Sequence, residues 1–281
     1  MTEPSWRVAL ISTVPPVAAF MSTALRELGH QPVAVISARR KEPIPGRPEM
    51  TDETAPAGMD VLLARDKWSM EPLLRACRPD LALCWGFPWR IPQPALDVPR
   101  LGSVNCHPAL LPRHRGPIPL AWAIRDGDGQ YGVTWHRMDA ELDTGPILAQ
   151  TTVPMLDDEF DIMELGPRMG AVAIGLLPQV LARIAAGDPG DPQPTEGVTW
   201  AGHFEEDYAE VDWSLPARRI HDQIRAWAFT FGLSPAVGPV ATLDGNRVRL
   251  IRTSLVDPGG DARRVETGDG PLWVVSWEPL A

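Results

Sequence analysis

The sequence is short of several things, and each shortage argues against a class of function. Cysteine occurs three times, at Cys77, Cys84 and Cys106. An odd number, with Cys84 and Cys106 inside apolar runs, suits reduced core residues of a cytoplasmic protein and offers neither a disulfide framework nor a zinc site. Basic charge is in deficit: 26 Lys and Arg against 36 Asp and Glu leave a formal charge of −10 at pH 7, the wrong sign for a protein that binds mainly by neutralising phosphates. Nucleic acid is therefore not an expected partner. The apolar stretch from Val8 to Leu25 is split by Pro15-Pro16 and preceded by Glu3, so it reads as strand, turn and helix, with no leader and no membrane span. A phosphate-cradling G-x-G-x-x-G is missing as well. STVPPVAAF follows the first strand instead, which argues against NAD, FAD and mononucleotides.

What is present fits an ordinary folded chain. The 281 residues are 44% hydrophobic and 22% charged, with 24 Gly and 31 Pro, so short elements and many turns are expected. Apolar runs at 6–12, 32–37, 80–85 and 102–106 alternate with helical segments at 17–28 and 69–77, the pattern of a doubly wound, mostly parallel α/β sheet. Residues 131–138 and 146–153 add a later hairpin. A long helix is expected over 159–186, interrupted at Pro167 and kinked at Pro178, with Met169, Val172, Leu176, Val180 and Ile184 as its core stripe. The Pro-, Gly- and acid-rich run Gly187 to Gly197 reads as a linker. Beyond it lie a helix at 215–227, two β-rich runs joined through Asp244-Gly245, and a last strand at 272–277. The expected division is thus a Rossmann-like α/β domain at 1–187, a linker at 188–204 and a small β-rich domain at 205–281.

The chemistry concentrates in residues 101–147. Along a strand, residues i and i+2 share a face, so Asn105 and His107 point together while Cys106 turns to the core. Both sit at a strand's carboxyl end, where open α/β sheets bind ligands. Asp143-Thr144-Gly145 forms a turn that could return a carboxylate to the same cleft. An amide, an imidazole and a carboxylate suit acyl transfer to an amine: the imidazole takes the proton, the amide steadies the oxyanion, and the carboxylate fixes the ring and raises its pKa. No Ser or Cys is placed for covalent attack, so direct displacement is favoured. His136 reads as a packed residue, as do His30 and His221. Arg113 and Arg115 suit either loop salt bridges or an anionic substrate.

These residues resemble a known family, the formyltransferases that use 10-formyltetrahydrofolate. Asn105-Cys106-His107-Pro108-Ala109-Leu110-Leu111-Pro112, with the later Arg115-Gly116, is similar to the family's N-x-H-P-S-L-L-P…R-G signature, Ala109 standing in for Ser. Asp143-Thr144-Gly145-Pro146-Ile147 resembles its D-x-G-x-I turn. The resemblance implies that Asn105, His107 and Asp143 are the catalytic trio and that 10-formyltetrahydrofolate is the donor, with no metal. It also implies that Phe87, Trp89, Arg90, Ile91 and Pro92, with Met138, Asp139, Ala140, Glu141 and Leu142, line the pterin pocket. From 210 onward the chain resembles the small carboxyl-terminal domain of methionyl-tRNA formyltransferase and amino-sugar relatives, though AFTFGLSPAVGP replaces that domain's N-P-x-P-G-A turn.

For the acceptor, charge is the available test. Residues 188–281 carry 15 acids and 8 basic residues, and 39–53 carry four of each; neither is a basic clamp. The expected acceptor is therefore a small-molecule primary amine or hydroxylamine: an amino-sugar nucleotide, an amino-acid derivative such as hydroxyornithine, or a natural-product amine. Methionyl-tRNA formyl transfer, hydrolysis of the donor and non-catalytic folate binding stand as alternatives. The small carboxyl-terminal unit could recognise substrate, pair two subunits in a homodimer or shield the cleft.

Overall fold

The computed structural model describes residues 5–39, 48–234 and 238–280. Residues 40–47, part of the charge-counted segment 39–53, lie outside that set, as do 235–237 of the AFTFGLSPAVGP stretch. By internal contacts the chain forms two interleaved units. The first comprises 1–115, 132–152 and 168–198, the second 116–131, 153–167 and 199–281. This partition differs from a single cut near residue 187, since two inner segments are grouped with the carboxyl-terminal residues.

The elements run β1 (Arg7–Ile11), α1 (Pro15–Glu27), β2 (Gln31–Ala38), β3 (Asp60–Ala64), α2 (Met70–Cys77), β4 (Leu81–Cys84), α3 (Gln93–Leu96), β5 (Ser103–His107), α4 (Pro119–Arg125), β6 (Gln130–Arg137), β7 (Ile147–Pro154) and α5 (Ile162–Ala185). They continue with α6 (Ala217–Ala228), β8 (Val240–Leu243), β9 (Asn246–Ser254), β10 (Arg263–Thr267) and β11 (Gly270–Pro279). Pro15-Pro16 starts α1, where a missing N–H costs nothing. Its buried Ala18, Met21, Ser22 and Leu25 recur at helical spacing, as do Met70, Leu74 and Cys77 of α2.

Strands β1 to β7 form one sheet in the order β3-β2-β1-β4-β5-β6-β7. Pairings from β3 through β5 are parallel and β5–β6 is antiparallel, the mostly parallel Rossmann-like sheet that the alternating runs predict. Strand order reverses between β1 and β4, and open α/β sheets bind ligands beyond the carboxyl ends of the strands at such a switch point. There the loops after β1 and β4 are tied together, with Thr13 donating from N (3.1 Å) and Oγ1 (2.9 Å) to the Gly86 carbonyl.

Helix α5 runs unbroken through Pro167 and Pro178, so the interruption expected at those prolines is absent. By length and mean hydropathy (24 residues, 1.3) it resembles a membrane span, but part of its surface is core. Met169, Ala173, Leu177, Val180, Leu181 and Ile184 are buried, and Trp135 Nε1 donates to the Ala173 carbonyl at 2.9 Å. Burying aliphatic side chains of this size contributes about 1.5–3 kcal/mol each, enough to hold a helix that lacks two ladder bonds. The packed face runs through Ala173 and Leu177, with the expected Val172 and Leu176 only half-buried. The run 187–197, read as a linker, is part of the first unit. Arg183 grips Asp188 at 2.7 Å and Asp191 at 2.8 Å, and Asp191 exchanges two backbone bonds of 2.8 Å with Ile147.

In the second unit β10-β11-β9-β8 form an antiparallel sheet. Ile220 and Ile224 of α6 share a buried cluster with Val248, Leu250, Leu272 and Val274. Asp244 and Gly245 both have positive φ (50° and 81°), the two-residue hairpin turn read from Asp-Gly.

Candidate active site

The site grows from the carboxyl end of β5. Cys106 faces the core at 2% exposure while Asn105 is half-buried and His107 is 4% exposed, as strand alternation requires. Asp143 arrives on the turn after β6. Its φ of +58° lies in the left-handed region, which Asp tolerates better than most side chains. The turn is drawn tight by Gly145, where a Cβ would lie 1.9 Å from the Arg137 carbonyl oxygen, so only glycine fits.

Asp143 is 5% exposed and stands among three nitrogens. Its Oδ2 is 3.6 Å from His107 Nδ1. Its Oδ1 is 3.3 Å from Asn105 Nδ2 and 3.5 Å from His136 Nε2. The far side of each ring is fixed by a backbone carbonyl: His107 Nε2 donates to His114 at 2.8 Å, and His136 Nδ1 to Arg137 at 2.8 Å. A carbonyl only accepts, so the neutral His107 tautomer carries its lone pair on Nδ1, facing Asp143. By the same reasoning His136 Nε2 accepts from Asn105 Nδ2 at 3.2 Å. Burial pushes the His107 pKa below its ordinary value of 6.5, and the Asp143 charge and the His114 carbonyl offset this only in part. The raised pKa expected from Asp143 alone is thus corrected: desolvation outweighs the carboxylate. At neutral pH His107 is an uncharged ring able to take a proton at Nδ1.

Beside this cluster the two segments named for the pterin pocket come together. Arg90 and Glu141 pair at 3.0 Å, and Phe87 meets Trp89 edge-on at 5.4 Å. Buried Ile91 (2% exposed) belongs to the cluster of Ile11, Cys84 and Leu96, against which half-buried Phe87, Trp89 and Met138 pack. Asp139 Oδ1 accepts from Glu141 N at 3.0 Å and Thr144 Oγ1 at 2.7 Å, holding the 138–144 loop in shape. Pro92 and Leu142 are half-buried and Ala140 is exposed. Among the described residues no group of three or more His, Cys, Asp and Glu side chains is placed to hold a metal.

Two contributors escape the sequence reading. His136, taken as packing, is buried at 2% exposure but touches both Asn105 and Asp143. The missed signal is register: Asn105 lies opposite His136 across β5–β6, and directly paired residues share a face. Gln193 donates to the Asp143 and Gly145 carbonyls at 2.9 and 2.8 Å. Arg115, for which a salt bridge or an anionic substrate was expected, bonds Gln193 Oε1 from Nε (3.1 Å) and from a terminal nitrogen (2.6 Å).

The fold defines a class. HypX from Aquifex aeolicus, solved in complex with tetrahydrofolic acid, matches with a TM-score of 0.70 at 20% identity, over 99% of this chain and 45% of that one. An N-formyltransferase from Helicobacter canadensis, solved with folinic acid and dTDP-3-aminofucose, matches with a TM-score of 0.69 at 15% identity, over 98% and 99%. This is the formyltransferase fold. The chain belongs to the formyl transferase family: the formyl transferase model matches residues 4–181 and the formyl transferase carboxyl-terminal domain model matches 204–279. Members of that family are enzymes that use formyltetrahydrofolate.

Among curated proteins, methionyl-tRNA formyltransferase of Paracoccus denitrificans is 39% identical over 195 residues, 69% of this chain and 62% of that protein. The enzyme of the same name from Pelobacter propionicus is 36% identical over 189 residues, 66% and 57%. The matched region thus spans about three-fifths of these relatives' length. Their names carry a tRNA, and this overturns the expectation of a small-molecule acceptor with nucleic acid an unlikely partner, in favour of the methionyl-tRNA alternative. The physical fault in that expectation is that charge counted along a segment, 188–281 or 39–53, does not say how those charges are arranged on a face.

Proposed function

We propose that the chain transfers the formyl group of 10-formyltetrahydrofolate to the amino group of methionyl-tRNA. The observation that carries this reading is the convergence of Asn105, His107 and Asp143 around one buried point, in a chain whose sequence relatives are methionyl-tRNA formyltransferases. The wall beside that point fits the donor's character. Half-buried Phe87, Trp89 and Met138, backed by the buried Ile91, offer aromatic and apolar faces to a flat ring. The 87–92 and 138–142 loops offer backbone edges to its polar rim.

In this reading the amine nitrogen bonds to the formyl carbon as its proton passes to His107 Nδ1, and the Asp143 carboxylate steadies the imidazolium that forms. The ring hands that proton to the donor nitrogen as that nitrogen's bond to the formyl carbon breaks. A positioned base of this kind contributes about 10²–10⁴-fold. Asn105 turns the amide hydrogen that faces Asp143 to the formyl oxygen as charge develops there, which preorganised donors stabilise by about 10²–10³-fold. His136 keeps the other amide hydrogen and so the orientation of the group. Action in the cytoplasm belongs to the same reading, since Cys77, Cys84 and Cys106 are all buried free thiols.

The test is an assay of the full chain with 10-formyltetrahydrofolate and methionyl-tRNA. Formylmethionyl-tRNA is expected, with no product from uncharged tRNA. Release of formate without transfer would overturn the reading in favour of hydrolysis. Donor binding without turnover would overturn it in favour of a binding module.

A further inference from the structure

Gln193 lies outside both sequence motifs, yet it bridges them. Both hydrogens of its amide are committed, to the carbonyl oxygens of Asp143 (2.9 Å) and Gly145 (2.8 Å), and its oxygen accepts two N–H groups of Arg115. Arg115 closes the first motif, and Asp143 and Gly145 belong to the second. The opposite side of the turn is held separately, through Thr144 and Glu141 to Asp139 and through the Arg137 N–H to the Pro146 carbonyl at 2.9 Å. Between these two anchors stands Asp143, whose left-handed backbone is held against its own preference. Where Asp143 stands decides how its carboxylate meets His107, and displacements of about 1 Å in such a constellation cost up to about 10²-fold in rate.

We propose that Gln193 is a positioning residue for the transfer reaction: by clamping the carbonyls on either side of the Asp143 turn to Arg115, it sets the carboxylate against His107. The proposal rests on the reading of Asn105, His107 and Asp143 as the reacting trio. A tether role alone is chemically distinct. Gln193→Glu retains and strengthens the bond to Arg115 but turns a carboxylate oxygen toward two carbonyl oxygens, so it keeps the tether and loses the clamp.

The experiment compares Gln193→Ala and Gln193→Glu with the unaltered full chain in the methionyl-tRNA formylation assay, with thermal melting to confirm that each is folded. Both variants are expected to lose about tenfold or more in kcat with KM for 10-formyltetrahydrofolate within about twofold of the parent. The acid limb of the kcat profile should also move to lower pH, because Asp143 no longer raises the affinity of His107 for its proton; the groups facing that ring are Asp143, His136 and His114. Parental kcat in Gln193→Ala, or parental activity in Gln193→Glu, would overturn the proposal. So would a loss confined to KM, or one with an unmoved acid limb. His107→Ala, run alongside, separates the two levels. If it keeps the parental rate, the trio reading itself has failed; if it is inactive while the Gln193 variants are normal, only the clamp has failed.

Discussion

Each unit buries a cluster of histidine, aspartate and a nitrogen-bearing side chain, and the two clusters are built to opposite ends. In the second unit His221 is bonded on both sides, Nδ1 to Thr253 Oγ1 at 2.9 Å and Nε2 to the Asp157 carbonyl at 3.0 Å. Arg225, 1% exposed, reaches Asp222 at 3.0 Å and the carbonyls of Leu156 (2.5 Å) and Glu159 (3.3 Å). Most of these bonds are close to ideal length, so they hold structure. In the first unit His107 has one tight bond, and its other nitrogen stands 3.6 Å from Asp143, beyond hydrogen-bond length. Asn105 keeps its two partners at 3.2 and 3.3 Å. Buried polar groups held at such distances forgo stability and remain ready to take a new partner, which is what a reacting centre needs.

Substitutions can break or sharpen that contrast. The largest effect is expected at Arg225. Arg225→Ala strips Asp222 of its closest cation, leaving Arg218 at 3.7 Å, and burial already pushes the Asp222 carboxyl above its usual range. Urea unfolding of the full chain should show a loss of about 3–5 kcal/mol, whereas His107→Ala should cost about 1 kcal/mol through its single tight bond. Equal losses would erase the distinction between the clusters.

Acid gives a second, smaller effect. Burial lowers the His221 pKa to about 4, against about 6.5 in an unfolded chain. The unfolded state therefore binds the extra proton first. The stability that neutral His221 contributes is complete above pH 6.5 and is lost as pH falls toward 4. Between pH 7 and pH 5 the chain should lose about 2 kcal/mol from this group, and His221→Gln should flatten that part of the stability curve. A slope unchanged by the substitution would show that His221 is not desolvated in solution.

The smallest effect is a displacement along the pH axis. Only neutral His107 accepts a proton, so activity should rise through its pKa, which burial places below 6.5. Asp143 opposes that shift. Asp143→Asn should therefore slide the acid limb of the remaining activity to still lower pH. A limb moving upward would mean that the carboxylate does not face the ring.

How much of this was legible in the sequence depends on the range of the interaction. Asn105 and His107 could be paired because two-residue alternation along a strand is a local rule, and the Asp244-Gly245 turn followed from two residues. His136 was misread because its role is set by cross-strand register, Asn105 opposite His136, which no count along one strand contains. Gln193 was invisible inside a Pro- and Gly-rich run: its partners lie 50 and 78 residues away. The unbroken α5 shows packing overriding a local breaker. The acceptor was misjudged because a count along segments such as 188–281 and 39–53 loses the spatial arrangement of the charges, while binding reads that arrangement. Helix α4, of seven residues, carries too few periodic positions to stand out.

The central claim is that His107 takes the proton of the attacking amine. Single-turnover formylation of methionyl-tRNA by the unaltered chain and by folded His107→Ala tests it most directly. The account predicts a fall of about 10²-fold or more in the transfer step, with binding of 10-formyltetrahydrofolate little changed. Transfer at the parental rate by His107→Ala would contradict it.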